Sequence, residues 1–132
     1  MNDEVKINLP IQDFEVPDLR QSVGWDRRDS DFPALLGRCN FWAGVRNEAH
    51  KLIAFGYVAG TGLQHGYMED IMVHPDYHGG GIGKALVSRL LEEADRTGLE
   101  IVTVTFAEAH ASFYEKSGFK PCPGGLWKSG SN

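Results

Sequence analysis

A cluster of glycines between a strand-like and a helix-like segment is the strongest constraint on the fold. Gly79, Gly80, Gly81 and Gly83 separate the apolar run Ile71-Met72-Val73 from a leucine-rich segment with helical spacing. Because glycine has no Cβ, such a loop turns tightly and approaches a ligand closely. The first amides of the following helix lack intrahelical partners, and the helix dipole adds positive charge there. The order strand, glycine loop, helix therefore predicts an α/β arrangement with an anion site, and phosphate is the expected anion.

The two most familiar phosphate motifs do not match this loop. A Walker loop would need glycine at His78 and a hydroxyl for magnesium at Ala85. A dinucleotide fingerprint built on Gly79 and Gly81 would need glycine at Lys84. A nucleoside triphosphate and a dinucleotide are therefore not expected.

Three segments in a fixed order match another pattern. The stretch His78–Gly83 fits Gln/Arg-x-x-Gly-x-Gly/Ala in all but its first residue, and it follows Val73-His74-Pro75-Asp76-Tyr77. Downstream, Phe113-Tyr114-Glu115-Lys116-Ser117-Gly118-Phe119 matches Phe/Tyr-Tyr-Glu-Lys-x-Gly-Phe. With these motifs the chain resembles the GNAT N-acetyltransferase superfamily from about Lys51 to Phe119. The resemblance implies an α/β (α+β) fold, in which a mixed, mostly antiparallel sheet with a splayed central parallel strand pair is flanked by helices.

The resemblance also implies acetyl-CoA as co-substrate and no metal. The loop would bind the pyrophosphate of the coenzyme, the strand before it would bond the pantetheine arm, and Tyr114 would lie beside the sulfur. The implied coenzyme-binding residues are Ile71, Met72, Val73, His78, Gly79, Gly80, Gly81, Ile82, Gly83, Lys84 and Tyr114. For Lys84 the alternative is a solvent-exposed first turn of the helix. Ala107 replaces an asparagine that is common in the family, which removes one contact to the coenzyme.

Acetyl transfer to an amine requires a base, because the amine is mostly ammonium at neutral pH. Glu69 is the candidate, since many family members carry a catalytic glutamate at this place before the loop. The alternative for Glu69 is an ordinary strand carboxylate. Asp70 should point to the opposite face of a regular strand, so at most one of the two should line the cleft. The histidines His65, His74 and His110 are reserve bases.

The leaving thiolate requires a proton, and the resemblance gives that role to Tyr114. The alternative is a packing tyrosine whose hydroxyl satisfies a buried group. For the acceptor amine the candidates are Trp25 and Phe32, in the region of the two N-terminal helices, with Phe41 and Trp42 as further aromatic residues. Their alternative is ordinary core.

Composition limits the possible partners. The chain has 132 residues, 42% of them hydrophobic, which suits one domain, expected over residues 1–128 with a disordered tail at 129–132. Its net charge of −5 and scattered basic residues disfavour nucleic acid and anionic membranes and favour a cationic amine as acceptor. Cys39 and Cys122 lack metal-ligand spacing, and the N-terminus lacks a signal-peptide pattern, so a cytoplasmic location is expected.

Two other functions remain open at this stage. One is a non-catalytic acyl-CoA-binding or regulatory module of the same fold, and the other is an enzyme acting on aminoacyl-tRNA, which the lack of a basic patch disfavours. A homodimer is possible through a sheet edge near Pro121-Cys122-Pro123-Gly124-Gly125.

Turn residues and periodicity predict the elements along the chain. The first helix is capped by Asp18 and runs to about Trp25, and the second is capped by Ser30 or Asp31 and closed by Gly37. Strands are expected at 5–9, 41–46, 52–59, 67–73, 101–106, 119–122 and 126–128, with later helices at 83–97 and 108–117.

Overall fold

A computed structural model describes residues 4–130 of the chain. The last two residues of the expected tail, 131–132, lie outside the described residues. The strands are β1 (Lys6–Ile7), β2 (Phe41–Arg46), β3 (Leu52–Gly60), β4 (His65–Val73) and β5 (Ile101–Val104). The α-helices are α1 (Glu15–Ser22), α2 (Ala34–Arg38), α3 (Ile82–Arg96) and α4 (Ala111–Lys116). Short 3-10 turns span Asp29–Asp31, Pro75–Tyr77 and Glu108–His110.

The five strands form one sheet in the order β1-β2-β3-β4-β5. The first four pair antiparallel, with α1 and α2 between β1 and β2 and short turns after β2 and β3, whereas β4 and β5 are parallel. Parallel neighbours need a crossover connection, and α3 supplies it. This architecture confirms the predicted mixed, mostly antiparallel sheet with one parallel pair and flanking helices.

The parallel pair separates along its length. Pairing of β4 with β5 runs from His65 opposite Ile101 to Met68 opposite Val104, and β5 ends there. Strand β4 continues to Val73 without a neighbour on that side. The sheet therefore opens beyond Met68, which is where the resemblance places the coenzyme.

Each face of the sheet carries its own core. On one face α3 packs Leu86, Val87 and Leu90 against the sheet, at the spacing of an amphipathic helix. On the other face α1 packs Val16 and Leu19 in the same way. The sheet thus forms a wall between a helix α3 side and a side covered by α1 and α2.

Strand β4 contains an extra residue at Asp70. Tyr57 of β3 pairs with Glu69 and Phe55 pairs with Met72, so Gly56 faces two residues of β4. Asp70 has a φ of 54°, and the extra residue shifts by one position the alternation of side chains between the two faces of β4. Such a β-bulge re-aims the residues that follow it. Ile71 consequently lies on the α3 side, with its side chain over Gly56.

The first helix begins earlier than the sequence pattern predicted. It starts at Glu15, whose carboxylate accepts from the Gln12 amide at 2.8 Å, and not at Asp18. Pro17 is accommodated in the first turn, where its missing N–H has no intrahelical partner to lose. The helix ends at Ser22 and not near Trp25, because Gly24 adopts a positive φ of 85° just beyond it.

The second helix and the C-terminal strands also differ from the prediction. Neither Ser30 nor Asp31 caps α2, because both lie in a separate 3-10 turn, and Gly37 lies inside the helix. The closing strands predicted at 119–122 and 126–128 do not form in the described part of the chain, so β5 is the edge strand there. Prolines at 121 and 123 remove amide donors that a strand would need.

Candidate active site

A cleft of about 480 Å³ lies where β4 runs on without β5. Its walls are the end of β4, the glycine loop with the start of α3, and helix α4. The lining residues are Ile71, Val73, Tyr77, His78, Gly79, Gly81, Ile82, Gly83, Lys84, His110, Phe113 and Tyr114. The structure therefore brings together residues from both predicted motifs. Met72 and Gly80 are not among the lining residues, and neither are Glu69 and Asp70.

The glycine loop presents free main-chain amides to this cleft. Gly79 and Gly81 have φ of 84° and 83°, a left-handed conformation that favours glycine. Within the described chain, the first amide after His78 to donate to a main-chain oxygen is that of Ala85, which bonds the Gly81 carbonyl at 3.0 Å. The amides between them are available to an anion at the positive end of a 15-residue helix.

The outer edge of β4 also faces the cleft with its main chain. The His74 amide donates to the Ile53 carbonyl of β3 at 2.8 Å. Because alternate residues of an antiparallel strand direct their polar groups to opposite sides, those of Val73 and Ile71 face away from β3. The Val73 carbonyl accepts from Nε2 of His78 at 2.7 Å, which assigns the proton to that nitrogen and ties the loop to the strand. The Met72 side chain is only 2% exposed and packs in the core of the opposite face.

Tyr114 is fixed by neighbouring aromatic rings while its hydroxyl stays free. Its ring stacks on Phe106 with centroids 4.8 Å apart and meets Phe113 and Phe119 edge-on. Among the described residues the hydroxyl has no hydrogen-bond partner. Burial raises the pKa of Tyr114 above its ordinary value, so the phenol is protonated at neutral pH. A protonated donor without a protein partner suits a ligand atom in the cleft.

Glu69 lies at the point where the parallel pair opens. It follows Met68, the last residue of β4 that pairs with β5, and it lies opposite Tyr57 of β3. The carboxylate is half-buried, and no hydrogen bond or ion pair to it occurs within the described chain. Burial raises the pKa of Glu69, as does the neighbouring charge of Asp70, while Arg20 opposes both. The raised pKa increases the affinity of the Glu69 carboxylate for a proton, as a general base requires.

Asp70 does not follow the regular alternation assumed from sequence, because it is the extra residue of the bulge. Its carboxylate forms an ion pair with Arg20 of α1 at 2.8 Å, and burial raises its pKa despite that partner. Asp70 and Glu69 lie near enough for the Asp70 charge to act on Glu69. Asp70 therefore has an ion-pair partner, and Glu69 has none among the described residues.

The three reserve histidines have different surroundings. His74 Nδ1 accepts from the Asp76 amide at 3.1 Å and caps a 3-10 turn. His65 Nε2 lies 2.9 Å from the Thr103 hydroxyl, away from the cleft. Of the three, His110 alone lines the cleft.

The aromatic residues proposed for the acceptor are distributed between surface and core. Trp25 is 42% exposed and stacks on Arg20, with the guanidinium carbon 5.4 Å from the ring. Phe32 is only 6% exposed and belongs to the core of the α1 and α2 side. Trp42 packs against the same core and donates through Nε1 to the Leu9 carbonyl. Phe41 belongs to the core of the α3 side.

Tyr57, which pairs with Glu69 on the neighbouring strand, was not among the residues predicted from the sequence. Its ring is largely buried, and burial raises its pKa, as do the charges of Asp70 and Glu69. A signal existed, because Tyr57 is the only residue with a side-chain polar group in the otherwise apolar run Leu52–Val58.

The described residues hold no cluster of three or more histidine, cysteine, aspartate or glutamate side chains able to bind a metal. None of the helices described is long and apolar enough to cross a bilayer.

Comparison with known proteins identifies the family that this fold and site define. Residues 37–121 match the model of the acetyltransferase (GNAT) domain. The chain therefore belongs to the GNAT acetyltransferase family.

Two relatives in sequence carry acetyltransferase names. An uncharacterized ycf52-like N-acetyltransferase of Prochlorococcus marinus is 32% identical over 116 residues, which cover 85% of this chain and 64% of that protein. The glucosamine 6-phosphate N-acetyltransferase of Trypanosoma brucei brucei is 42% identical over 55 residues, covering 42% of this chain and 37% of the relative. The chain thus spans less than two thirds of either relative.

The fold has close counterparts among solved structures. The crystal structure of glucosamine-6-phosphate N-acetyltransferase from Arabidopsis thaliana matches with a TM-score of 0.79, covering 97% of this chain and 99% of that one. Its identity is 20%, so this likeness concerns the fold alone.

Proposed function

We propose that the protein is an acetyl-CoA-dependent N-acetyltransferase that transfers an acetyl group to a primary amine of a small molecule or peptide. One observation carries the proposal. Where the parallel pair opens, β4 carries an unpaired carboxylate (Glu69) two residues before Ile71, and Ile71 lines a cleft that contains an unpaired phenol (Tyr114) and ends at a glycine loop.

The residues of the cleft fit coenzyme A. Free amides of residues 79–84 suit its pyrophosphate, and the outward-facing main chain of Ile71 and Val73 suits its amide-containing arm. The Tyr114 hydroxyl lacks a protein partner among the described residues, as expected for a group that contacts a ligand. When bound, acetyl-CoA supplies the activated acetyl group as a thioester.

Glu69 is proposed as the base that takes the proton from the acceptor ammonium. Its raised pKa makes it a better base than an ordinary carboxylate. Tyr114 is proposed as the acid that gives a proton to the departing sulfur, because its phenol is protonated, lines the cleft and is held in place by Phe106 and Phe113.

Direct attack of the amine within a ternary complex is proposed, without an acyl-enzyme. Among the cysteines, Cys39 is half-buried, and burial raises the pKa of its thiol to about 11. A protonated thiol is a poor nucleophile. Cys122 is exposed and lies in the C-terminal segment, outside the residues that line the cleft.

The names of the relatives differ in the acceptor, since they include a glucosamine 6-phosphate enzyme and a histone acetyltransferase of Glycine max. We favour a small molecule, because the cleft has a volume of only about 480 Å³. Nucleic acid and membranes are not proposed as partners, and the cytoplasm is proposed as the location because both cysteines are free thiols.

A homodimer is proposed through the β5 edge and the C-terminal segment. Strand β5 has no outer neighbour in the described sheet, and Leu126 and Trp127 are 81% and 85% exposed. An unpaired strand edge can pair with another chain, and exposed apolar side chains in the following segment would add to such a contact.

The test is release of coenzyme A thiol from acetyl-CoA in the presence of a panel of amines, amino acids and peptides, together with a direct measurement of acetyl-CoA binding. Amine-dependent release supports the transferase. Tight binding without release for any acceptor supports the alternative, a non-catalytic acyl-CoA-binding module, and failure to bind acetyl-CoA contradicts both.

A further inference from the structure

A second cavity lies on the opposite face of the sheet from the coenzyme cleft. This cavity, which we call the α2 cavity, has a volume of about 420 Å³, and it is lined by Asp31, Leu35, Arg38, Cys39, Tyr57 and Ala59, among others. Its size is within the range of small-molecule sites.

Tyr57 connects the α2 cavity with the candidate base. Residues directly opposite on neighbouring strands share a face of the sheet, and Tyr57 pairs with Glu69. Burial raises the pKa of Tyr57, and the charges of Asp70 and Glu69 raise it further, in agreement with this pairing. That hydroxyl has no hydrogen-bond partner within residues 4–130. A molecule in the cavity would therefore reach from α2 toward Glu69 along the Tyr57 ring.

Most charges in this region neutralise each other. Arg20 pairs with Asp70, and Arg28 pairs with Asp31 on the rim of the cavity. Arg38 is different, because its guanidinium has no ion pair or hydrogen bond among the described residues. Among the described residues it is the one basic side chain that lines this cavity. Arg38 at the cavity and Glu69, opposite Tyr57, thus carry opposite charges, and neither has an ion-pair partner within the described chain.

We propose that the α2 cavity is the acceptor site and that Arg38 binds an anionic group of the acceptor, so the substrate is a small amine that also carries a carboxylate or phosphate. The ammonium end of such a molecule is drawn to Glu69 and its anionic end to Arg38. The Tyr57 hydroxyl is available to a polar group between them. This inference rests on the proposed function and adds the chemical class of the acceptor.

The charges near the cavity favour a different class of acceptor from the cationic amine that the net charge of the chain favours. The total of −5 disfavours an acidic metabolite, but Asp31 and Asp70, on this side of the sheet, are held in ion pairs. Arginine recognises carboxylates and phosphates through paired N–H donors, whereas a polyamine would leave Arg38 without a partner and place like charges together.

The experiment compares acceptors that differ only in the anion. Glucosamine 6-phosphate is paired with glucosamine, and leucine with leucinamide, so that the two pairs distinguish phosphate from carboxylate. Equilibrium binding in the presence of coenzyme A, and KM and kcat where turnover occurs, are measured for the native chain, Arg38→Ala and Arg38→Lys. The exposed Lys120, which lines neither cavity, gives a matched control in Lys120→Ala, because this change also removes one positive charge.

We expect Arg38→Ala to weaken binding of the preferred anionic acceptor about 10- to 100-fold, as for loss of a charged hydrogen bond, and Arg38→Lys to restore part of it. The neutral partner should change less than about twofold, and acetyl-CoA binding should be unchanged. An equal effect on both members of a pair, or no preference of the native chain for either anion, overturns the inference even if other amines are acetylated. Loss of acetyl-CoA binding in the native chain contradicts the proposed function instead, while the binding comparison still decides the role of Arg38.

Discussion

Partial burial gives individual side chains of the site their chemical character. Glu69 and Tyr114 are both removed from much of the solvent, and in both the pKa is raised because the charged form is disfavoured. Glu69 becomes a stronger base and Tyr114 stays a phenol at neutral pH. Neither group has a protein partner within the described chain, so both are available to ligands.

Replacing Glu69 by glutamine should lower kcat by about 10²- to 10⁴-fold at neutral pH, since the base is removed and the shape is kept. The native enzyme should lose activity as the pH falls through the Glu69 pKa, which burial raises above the ordinary value of a glutamate. This acidic limb should disappear in Glu69→Gln. Steady-state kinetics against pH measure both effects, with the exposed Glu100→Gln as control. An unchanged profile in Glu69→Gln would assign the base to another group.

Replacing Tyr114 by phenylalanine should reduce kcat about 10- to 100-fold while acetyl-CoA affinity changes little. The free energy of unfolding should stay within about 0.5 kcal/mol of the native value, because the hydroxyl satisfies no protein group among the described residues. Tyr67→Phe is the matched control, since that hydroxyl bonds Thr105 outside the cleft. Full activity of Tyr114→Phe would reduce Tyr114 to a packing residue.

At this scale the sequence indicates the groups that belong to contiguous motifs and misses those that depend on tertiary contacts. Glu69, Tyr114 and the glycines could be named because strand, loop and helix motifs carry them. The ion pair of Arg20 with Asp70 joins residues 50 positions apart, and no local pattern encodes it. The role proposed for Arg38 depends on the α2 cavity, which forms only in the folded chain.

Among the elements, β4 has the most consequences for the site, because the bulge at Asp70 sets which side chains reach each face. Sequence periodicity could not reveal it, since a one-residue shift leaves the apolar composition of the strand unchanged. The partner strand does carry a trace of it in Gly56. A Cβ there would collide with the side chain of Ile71 and lie 3.2 Å from a methyl group of Leu90.

The variant Gly56→Ala should therefore destabilise the fold by about 1–3 kcal/mol through overpacking. It should also weaken acetyl-CoA binding, because Ile71 lines the cleft and must move. Denaturant unfolding and equilibrium binding measure the two effects. In the control Gly37→Ala the added methyl meets nothing within 4 Å inside α2, so stability should be unchanged or higher by up to about 1 kcal/mol. Equal stability of the two variants would contradict this account of the bulge.

The molecule as a whole follows the order of elements that the sequence predicts up to α4. Hairpin turns, the crossover helix and apolar alternation fix that order through local chemistry. The C-terminal strands are the exception, because the residues 119–128 combine apolar side chains with prolines and glycines that do not support a strand within one chain.

If a second copy covers the β5 edge, the native chain should sediment as a dimer. The double variant Leu126→Ser and Trp127→Ser should shift it toward monomer, because both side chains are more than 80% exposed in the single chain. The exposed Leu63, in the turn before β4, provides a control in Leu63→Ser that removes apolar surface elsewhere. Sedimentation across a range of concentrations measures the change. A native chain that stays monomeric at all concentrations would contradict the dimer.

The separation of the two cavities by the sheet has a consequence for kinetics. The coenzyme cleft opens on the α3 side and the α2 cavity on the other, so the two ligands would meet only where β4 and β5 part. Because each cavity opens on its own side of the sheet, bound acetyl-CoA would not block entry of the acceptor, and the bound acceptor would not block entry of acetyl-CoA. The two substrates should then add in either sequence, and initial-rate plots against one substrate at fixed levels of the other should intersect and not run parallel.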